Sequence, residues 1–497
     1  MGHHKDINEL PPDGEKFDIT KIAKLNLLLF WVGVLALAGC LVAFIIPATR
    51  PSMSYSWLFG FVCFFTLALG GIFWTMLHHA TNSGWGVAVR RMMENVGRML
   101  PWVAIFFVPL LFSDVRESLW EWMAERKVMV EKAEKYAEGH MEEYTAKWQK
   151  QLEAAEGALA DVKAKAEAGM ANASPGEKAF LQDRVAFEER KVADLKAAKP
   201  TAHDVEHHNM VVDQHKALLA HKAGYLNMGF WVFRMVLYFL ALTWVIRTLR
   251  GWSVKQDIDG DWKYTRKARK ASCGFIPLFG VALTFAVIDW LMCLDYTWFS
   301  TMWGVYVFAG TAGASMAVII LVVTFVRSHG YLKDVVSDEH YHAMGKLMFA
   351  FVVFWGYIAF SQFFLYWYAN ITEETRFYLL RNTGGWWYMS LILVVGHFFI
   401  PFLGLLRRGA KKSPRVLCAF AVWVLVMHFI DMYWVVIPER GPSLDDSLLI
   451  PGAFILDIMA FIGIGAMVAY LFLRMLGKDS LYPCRDPRLD ESVNLVN

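Results

Sequence analysis

Ten stretches of this chain are apolar over about the length a helix needs to cross a bilayer, some twenty residues. They fall at residues 22–47, 54–79, 97–113, 227–249, 272–295, 303–327, 344–369, 385–406, 415–437 and 450–475. The third is the shortest and contains Pro101 and Pro109, with the amphipathic stretch Trp85 to Arg98 leading into it. The pattern predicts an all-α integral membrane protein of ten transmembrane helices. Four parts follow: an N-terminal tail and helices 1–3 (1–113), a polar insertion (114–225), helices 4–10 (226–476) and a C-terminal tail (477–497).

The insertion has its own periodicity. Met141, Tyr144, Trp148, Leu152, Ala155, Leu159 and Val162 recur at alternating spacings of three and four, which is a heptad seam. Asn172 to Gly176 interrupts it. Ser174, Pro175 and Glu177 then supply an N-cap, a proline at the first helical position and a capping-box acid. Leu181, Val185, Val192 and Leu195 continue a matching stripe, which Pro200 ends, so the segment predicts an antiparallel helical hairpin. Its seam needs one partner, either the other arm or a helix of another subunit. His203, His207, His208, His215 and His221 follow. His203 and His207 share a helix face at metal-ligand spacing, but Asp204, Glu206, Asp213 and Lys216 are interleaved and no thiolate is near, which favours a solvated helix.

Composition agrees with the pattern: 56% of residues are hydrophobic and 15% aromatic, beyond the range of soluble domains. A net charge of +3, without any basic run interleaved with aromatics, argues against nucleic-acid binding. The polar start, Met1 to Thr20, does not have the form of a cleavable signal peptide. Cys40, Cys63, Cys273, Cys293 and Cys418 lie in apolar runs and Cys484 in a tail, with no CxxC pair for a cluster, zinc ribbon or covalent haem.

Lysine and arginine set the orientation. One set of loops holds Arg90, Arg91 and Arg98, then Arg247 to Lys270, then Arg407, Arg408, Lys411, Lys412 and Arg415; the alternate set has Arg50, Arg376, Arg381 and Arg440. The rich side is expected to be cytoplasmic, with both termini there, and the hairpin on the opposite face, the periplasm in a bacterium.

Candidate chemistry lies within the apolar runs, where an ionisable residue costs a few kcal/mol and needs a partner or a wet cavity. The set is Arg234, Asp289, Asp295, His397, His428, Asp431 and Asp457, with His78 and His79 near a cytoplasmic helix end. Counting along the helices puts Arg234, Asp289, Asp431 and Asp457 in the periplasmic half and His397 and His428 nearer the midplane, where they can form one polar cluster. His428 and Asp431, three residues apart, share a helix face and could exchange a proton. The alternative is ion pairing between helices, for example Arg234 with Asp289 or Asp457. Too few histidines lie deep enough to ligate haem.

Several segments carry a resemblance. Asp289-Trp-Leu-Met-Cys-Leu-Asp295 through Tyr306, Gly345-Lys-Leu-Met-Phe-Ala-Phe and Phe360 through Thr375, His397-Phe-Phe-Ile-Pro through Arg408, His428-Phe-Ile-Asp through Pro438, and His78-His-Ala-Thr occur in order. Together they resemble the F subunit of alternative complex III, the quinol:cytochrome c oxidoreductase. The resemblance spans nearly all the membrane runs. It implies an NrfD or polysulfide-reductase anchor type of subunit in the bacterial cytoplasmic membrane, with two four-helix bundles and two flanking helices.

Such a subunit has no redox cofactor of its own. The implied partners, besides lipids, are an NrfD-like sister membrane subunit with the quinol site, an iron–sulfur subunit, and multihaem and monohaem cytochrome c subunits. The implied role is proton conduction coupled to quinol oxidation, through Asp289, His397, His428 and Asp431, with Asp457 and Arg234 added from depth. A second quinol pocket and a scaffold for the cytochromes are the alternatives. The hairpin between about Glu125 and Thr201 departs from the family's pattern.

Overall fold

The computed structural model describes residues 7–124, 136–170, 175–197, 217–441 and 453–496. Among the described residues there is no β-strand, and nine helices are long and apolar enough to cross a membrane, making this an all-α, multi-pass membrane protein. The chain divides into two units, residues 1–121 with 228–497, and residues 122–227.

In the first unit, α1 (Ala23–Ile45) exposes Leu27, Leu28, Trp31 and Leu35, the outward apolar surface a lipid-facing helix presents. The next helix, α2 (Arg50–Ala80), is apolar all round and almost wholly buried, as expected of the centre of a bundle. Its close neighbours need small residues at the crossings. A Cβ at Gly71 would lie 2.3 Å from the backbone nitrogen of Gly97, and one at Gly70 would lie 1.9 Å from Ser315 Oγ.

Residues 97–113 are not one helix. They follow α3 (Val87–Gly97) as α4 (Leu100–Ile105) and a 3₁₀ turn (Val108–Leu111), before the short α5 (Ser113–Leu119). Pro101 and Pro109 both sit in the first turn of a new piece, where the missing N–H costs nothing but the preceding helix cannot continue through it. The amphipathic stretch forming α3 is buried on both its apolar and its polar side.

In the second unit, α6 (Tyr136–Met170) and α7 (Pro175–Ala197) pack antiparallel. Trp148 Nε1 donates to Leu195 O at 2.7 Å, and Lys196 and Lys163 reach back to Glu156 at 2.7 Å and Glu189 at 2.6 Å. The seam's partner is therefore the hairpin's other arm, with Ala155, Ala166 and Val192 buried between. Seam positions Met141 and Tyr144, the cap at Ser174 and Glu177, Pro200, and His203, His207, His208 and His215 lie outside the described residues or side chains. His221 is exposed.

The remaining helices belong to the first unit: α8 (Met228–Asp259), α9 (Trp262–Trp290), α10 (Trp303–Ser328), α11 (Asp338–Ala369), α12 (Thr372–Arg381) and α13 (Trp386–Ile392). A π-helical stretch (Leu393–Phe399) leads into α14 (Ile400–Leu405), followed by α15 (Arg408–Lys412), α16 (Pro414–Val436), α17 (Ala453–Leu476) and α18 (Leu489–Val493). The π stretch has two local causes. Pro401 has no N–H for the carbonyl of His397, four residues earlier, and Trp423 Nε1 takes the Gly396 carbonyl at 2.7 Å.

Candidate functional site

The predicted residues do not form one cluster; Asp295 lies apart, 3.7 Å from Arg376, and the expected pathway residues form three groups that no described hydrogen bond connects. At one, Arg234 of α8 clamps Asp289 of α9 through two bonds, Nε to Oδ2 at 2.8 Å and Nη2 to Oδ1 at 2.7 Å. Tyr238, one turn along α8 and so on the same face, donates to Oδ2 at 2.9 Å. At the second, Asp457 of α17 is clamped by Arg440 at 2.7 and 3.2 Å, and accepts from Ser56 at 2.5 Å and Tyr433 at 3.0 Å. Both carboxylates are buried, so the bidentate guanidinium is what offsets their lost hydration. Arg234 thus pairs with Asp289, and the partner of Asp457 is an arginine just after α16.

The third group has no such cation. Asp431 of α16 is fully buried and accepts hydrogen bonds from the Tyr306 hydroxyl of α10 and from Trp355 Nε1 of α11, the latter at 3.0 Å. Trp355 also stacks on His397, with ring centroids 3.9 Å apart. His397 is held in the π-helical stretch, and its Nδ1 makes no hydrogen bond among the described residues.

One turn before Asp431, His428 turns to α2, where its Nε2 lies 2.9 Å from the Thr66 hydroxyl; its Nδ1 makes no hydrogen bond among the described residues. Gly310 leaves room for that ring, since a Cβ there would lie 3.1 Å from Nδ1. His428 and Asp431 share a helix side as expected, but each is bonded to a different neighbour and no hydrogen bond joins them.

The arrangement can change protonation at one place more easily than at the others. Protonating Asp289 or Asp457 would strand a buried guanidinium, whereas protonating Asp431 leaves only neutral donors, one of them a phenol that can also accept. Tyr306 and Trp355 both line a cavity of about 790 Å³, walled mainly by aromatic and aliphatic side chains, with Tyr378, Asn382, Ser390 and Trp434 as further polar contributors.

Sequence reasoning missed Tyr306, Trp355 and Thr66. Thr66, Gly70 and Trp74 recur every four residues on α2, a signal for one polar side: Trp74 Nε1 donates to Ala312 O and Ser315 Oγ, both at 3.1 Å, and Thr311 Oγ1 is buried nearby. His78 and His79 end the same helix. Both are buried, and none of their four ring nitrogens makes a hydrogen bond among the described residues.

At that end lies a buried ionic knot. Glu94 of α3 meets Arg90 at 3.2 Å, Arg91 at 3.4 Å and Arg250 of α8 at 2.7 Å. Arg90 also meets Asp486 at 2.6 Å, and Arg250 meets Asp479 at 2.7 Å. Burial alone would push the Glu94 carboxyl up, but Arg91, Arg250 and Arg90 outweigh it and hold it at about 2. Asp486 is likewise held well below the usual carboxylate range: burial opposes this, and Arg90 and Arg488 prevail. The knot ties the C-terminal tail to α3, with Ser492 Oγ donating to Trp85 O at 2.7 Å and accepting from Ala88 N at 3.0 Å.

Among the described residues no group of three or more His, Cys, Asp or Glu side chains is placed to hold a metal ion. No family model matches the chain, and no curated protein matches it.

Proposed function

We propose that this chain is the F-type membrane subunit of an alternative complex III assembly, a quinol:cytochrome c oxidoreductase, and that it provides a proton-exchanging site centred on Asp431. In this reading the interrupted stretch 97–113 serves as the tenth span, giving two four-helix bundles with two flanking helices. The hairpin lies on the periplasmic face and both termini lie in the cytoplasm of a bacterium. Quinol, haem c and iron–sulfur chemistry belong to the partner subunits: an NrfD-like sister, an iron–sulfur subunit, and multihaem and monohaem cytochromes.

One observation carries the proton role: among the described residues Asp431 is a buried carboxyl held by neutral donors alone, beside two histidines each with a ring nitrogen that makes no hydrogen bond. It supports the reading further that Tyr306, His397, His428 and Asp431 all come from the segments that resemble the F subunit. The ion-paired Asp289, Asp457 and Arg234 are then structural clamps flanking the site, and the polar side of α2 from Thr66 to His78 is its continuation toward the basic end.

The test is Asp431→Asn in the isolated complex, reconstituted in vesicles, with quinol oxidation and proton release followed together. Retained assembly and electron transfer with altered proton release supports the reading. Unchanged proton release overturns it.

A second reading, a further quinol pocket, is favoured by the 790 Å³ cavity next to Tyr306 and Trp355, a size and lining suited to a ring-bearing amphiphile. It predicts retained quinone in the purified subunit and loss of that quinone on narrowing the cavity with Val394→Trp. A scaffold role instead predicts that Asp431→Asn does nothing while deletion of 125–199 releases the cytochromes.

A further inference from the structure

The broken segment α3–α4 leaves a second opening in the first unit, at the end of the bundle where the ionic knot lies. Between α4, α8 and α17 runs a groove of about 650 Å³ with two kinds of wall. Toward the helix ends it carries four cations, Arg98, Arg247, Arg250 and Lys478, against one carboxylate, Asp479. Asp479 is already shared, 2.7 Å from Arg250 and 3.2 Å from Arg98. Arg247 and Lys478 are exposed, and no ion pair engages either among the described residues. Toward the middle of the bundle the walls are apolar: Trp102 and Ile105 of α4 are 41% and 56% exposed, with Ile246 of α8 fully buried beneath them.

From this we infer that the groove is a binding site for an anionic phospholipid, whose phosphate meets Arg98, Arg247 and Lys478 and whose acyl chains lie along Trp102 and Ile105. The cationic rim alone would suit any phosphate. The apolar floor below it singles out one that carries hydrocarbon, and basic pockets between helix ends are where such headgroups bind. A zwitterionic lipid would fill the floor but bring an ammonium to an already cationic rim.

The experiment uses the full chain, delipidated in detergent and then supplied with phosphatidylglycerol, phosphatidylcholine or inorganic phosphate, with bound lipid counted by native mass spectrometry. Wild type is expected to retain phosphatidylglycerol over phosphatidylcholine. The variant Arg247→Ala/Lys478→Ala should lose about 30-fold in affinity for it, at roughly fivefold per charge removed near the surface. Neither side chain supports the fold, and an unchanged thermal unfolding curve verifies that. Ile105→Asn should weaken both lipids alike.

Equal retention of the two lipids, or an unaffected double variant, overturns the inference. So does displacement of phosphatidylglycerol by millimolar inorganic phosphate, which would make the site one for free anion.

Discussion

Asp289 and Asp457 on one side, and Asp431 on the other, are buried to the same degree within one membrane unit, yet they are held in opposite ways. The first two each sit in a two-pronged guanidinium clamp with hydroxyl donors filling the remaining lone pairs. The third has a phenol and an indole, and among the described residues no fixed charge. A clamp fixes the carboxylate and joins two segments of chain. A neutral cradle joins helices too, but tolerates either state of the acid. The difference separates structure from chemistry among residues that depth alone had put together.

The comparison breaks most violently if a clamp loses its cation. Arg234→Met leaves Asp289 buried with only Tyr238 donating, and should destabilise the protein by about 3–5 kcal/mol, the range for stranding one buried partner. The double variant Arg234→Met/Asp289→Leu should recover most of that, because a buried pair is often replaceable by apolar packing. Tryptophan fluorescence on heating in detergent reads both. A single variant costing under about 1 kcal/mol would remove the distinction between clamp and cradle.

The ionic knot extends the comparison outside the spans and can be read with pH. Glu94 falls from an ordinary 4.5 to about 2, so the unfolded chain binds its proton first and the folded chain last. The stability this contributes is fully present above pH 4.5 and is lost as the pH falls toward 2; it is on the order of 3 kcal/mol. The gap in thermal stability between wild type and Glu94→Gln should therefore be widest near neutrality and narrow steadily below pH 4.5. A gap that stays constant down to pH 3 would mean that the three arginines do not act on Glu94 as a charge.

At the cradle the expected effects are smaller. Asn at position 431 can accept from Trp355 through its carbonyl while its amide donates to the Tyr306 hydroxyl, so Asp431→Asn should cost about 1 kcal/mol or less. Tyr306→Phe should cost somewhat more, about 1–3 kcal/mol, by leaving one buried carboxyl oxygen without its donor. If Asp431→Asn instead unfolds the protein as Arg234→Met does, the carboxylate has a cation that the geometry does not reveal.

Much of this was legible in the chain, for physical reasons that also mark where legibility stopped. Length and hydropathy are enough to find a spanning helix, and nine of the ten runs lie in such helices among the described residues. In the third, two prolines interrupt the helix, and hydropathy is blind to that. The heptad seam announced that the hairpin needs one partner but not which; Trp148 against Leu195 shows that it is the other arm. Depth offered Arg234 two partners, Asp289 and Asp457, without choosing between them.

Side-chain partners elsewhere depend on how helices are rotated, and α16 is apolar all round, so nothing in its pattern says that Asp431 faces Tyr306 and Trp355, 125 and 76 residues away. The partner of Asp457 was hidden differently. Arg440 was counted among loop cations for orientation, but it folds back 17 residues to the clamp.

The smallest effect is the sharpest control, because it keeps the chemistry of the clamp and changes only the solvent. Lys163 and Glu189, on opposite arms of the hairpin, approach to 2.6 Å, as close as Arg234 and Asp289, but both side chains are about half exposed. Water already solvates both ions, and holding two long side chains in one geometry costs entropy, so a double-mutant cycle across this pair should give a coupling below about 1 kcal/mol that salt reduces further. The same cycle across Arg234 and Asp289 should give several times as much and little salt dependence, since no ions reach the pair. Equal couplings in the two places would mean that distance alone sets the strength of these bonds, and that burial, on which the separation of clamps from the Asp431 cradle depends, does not.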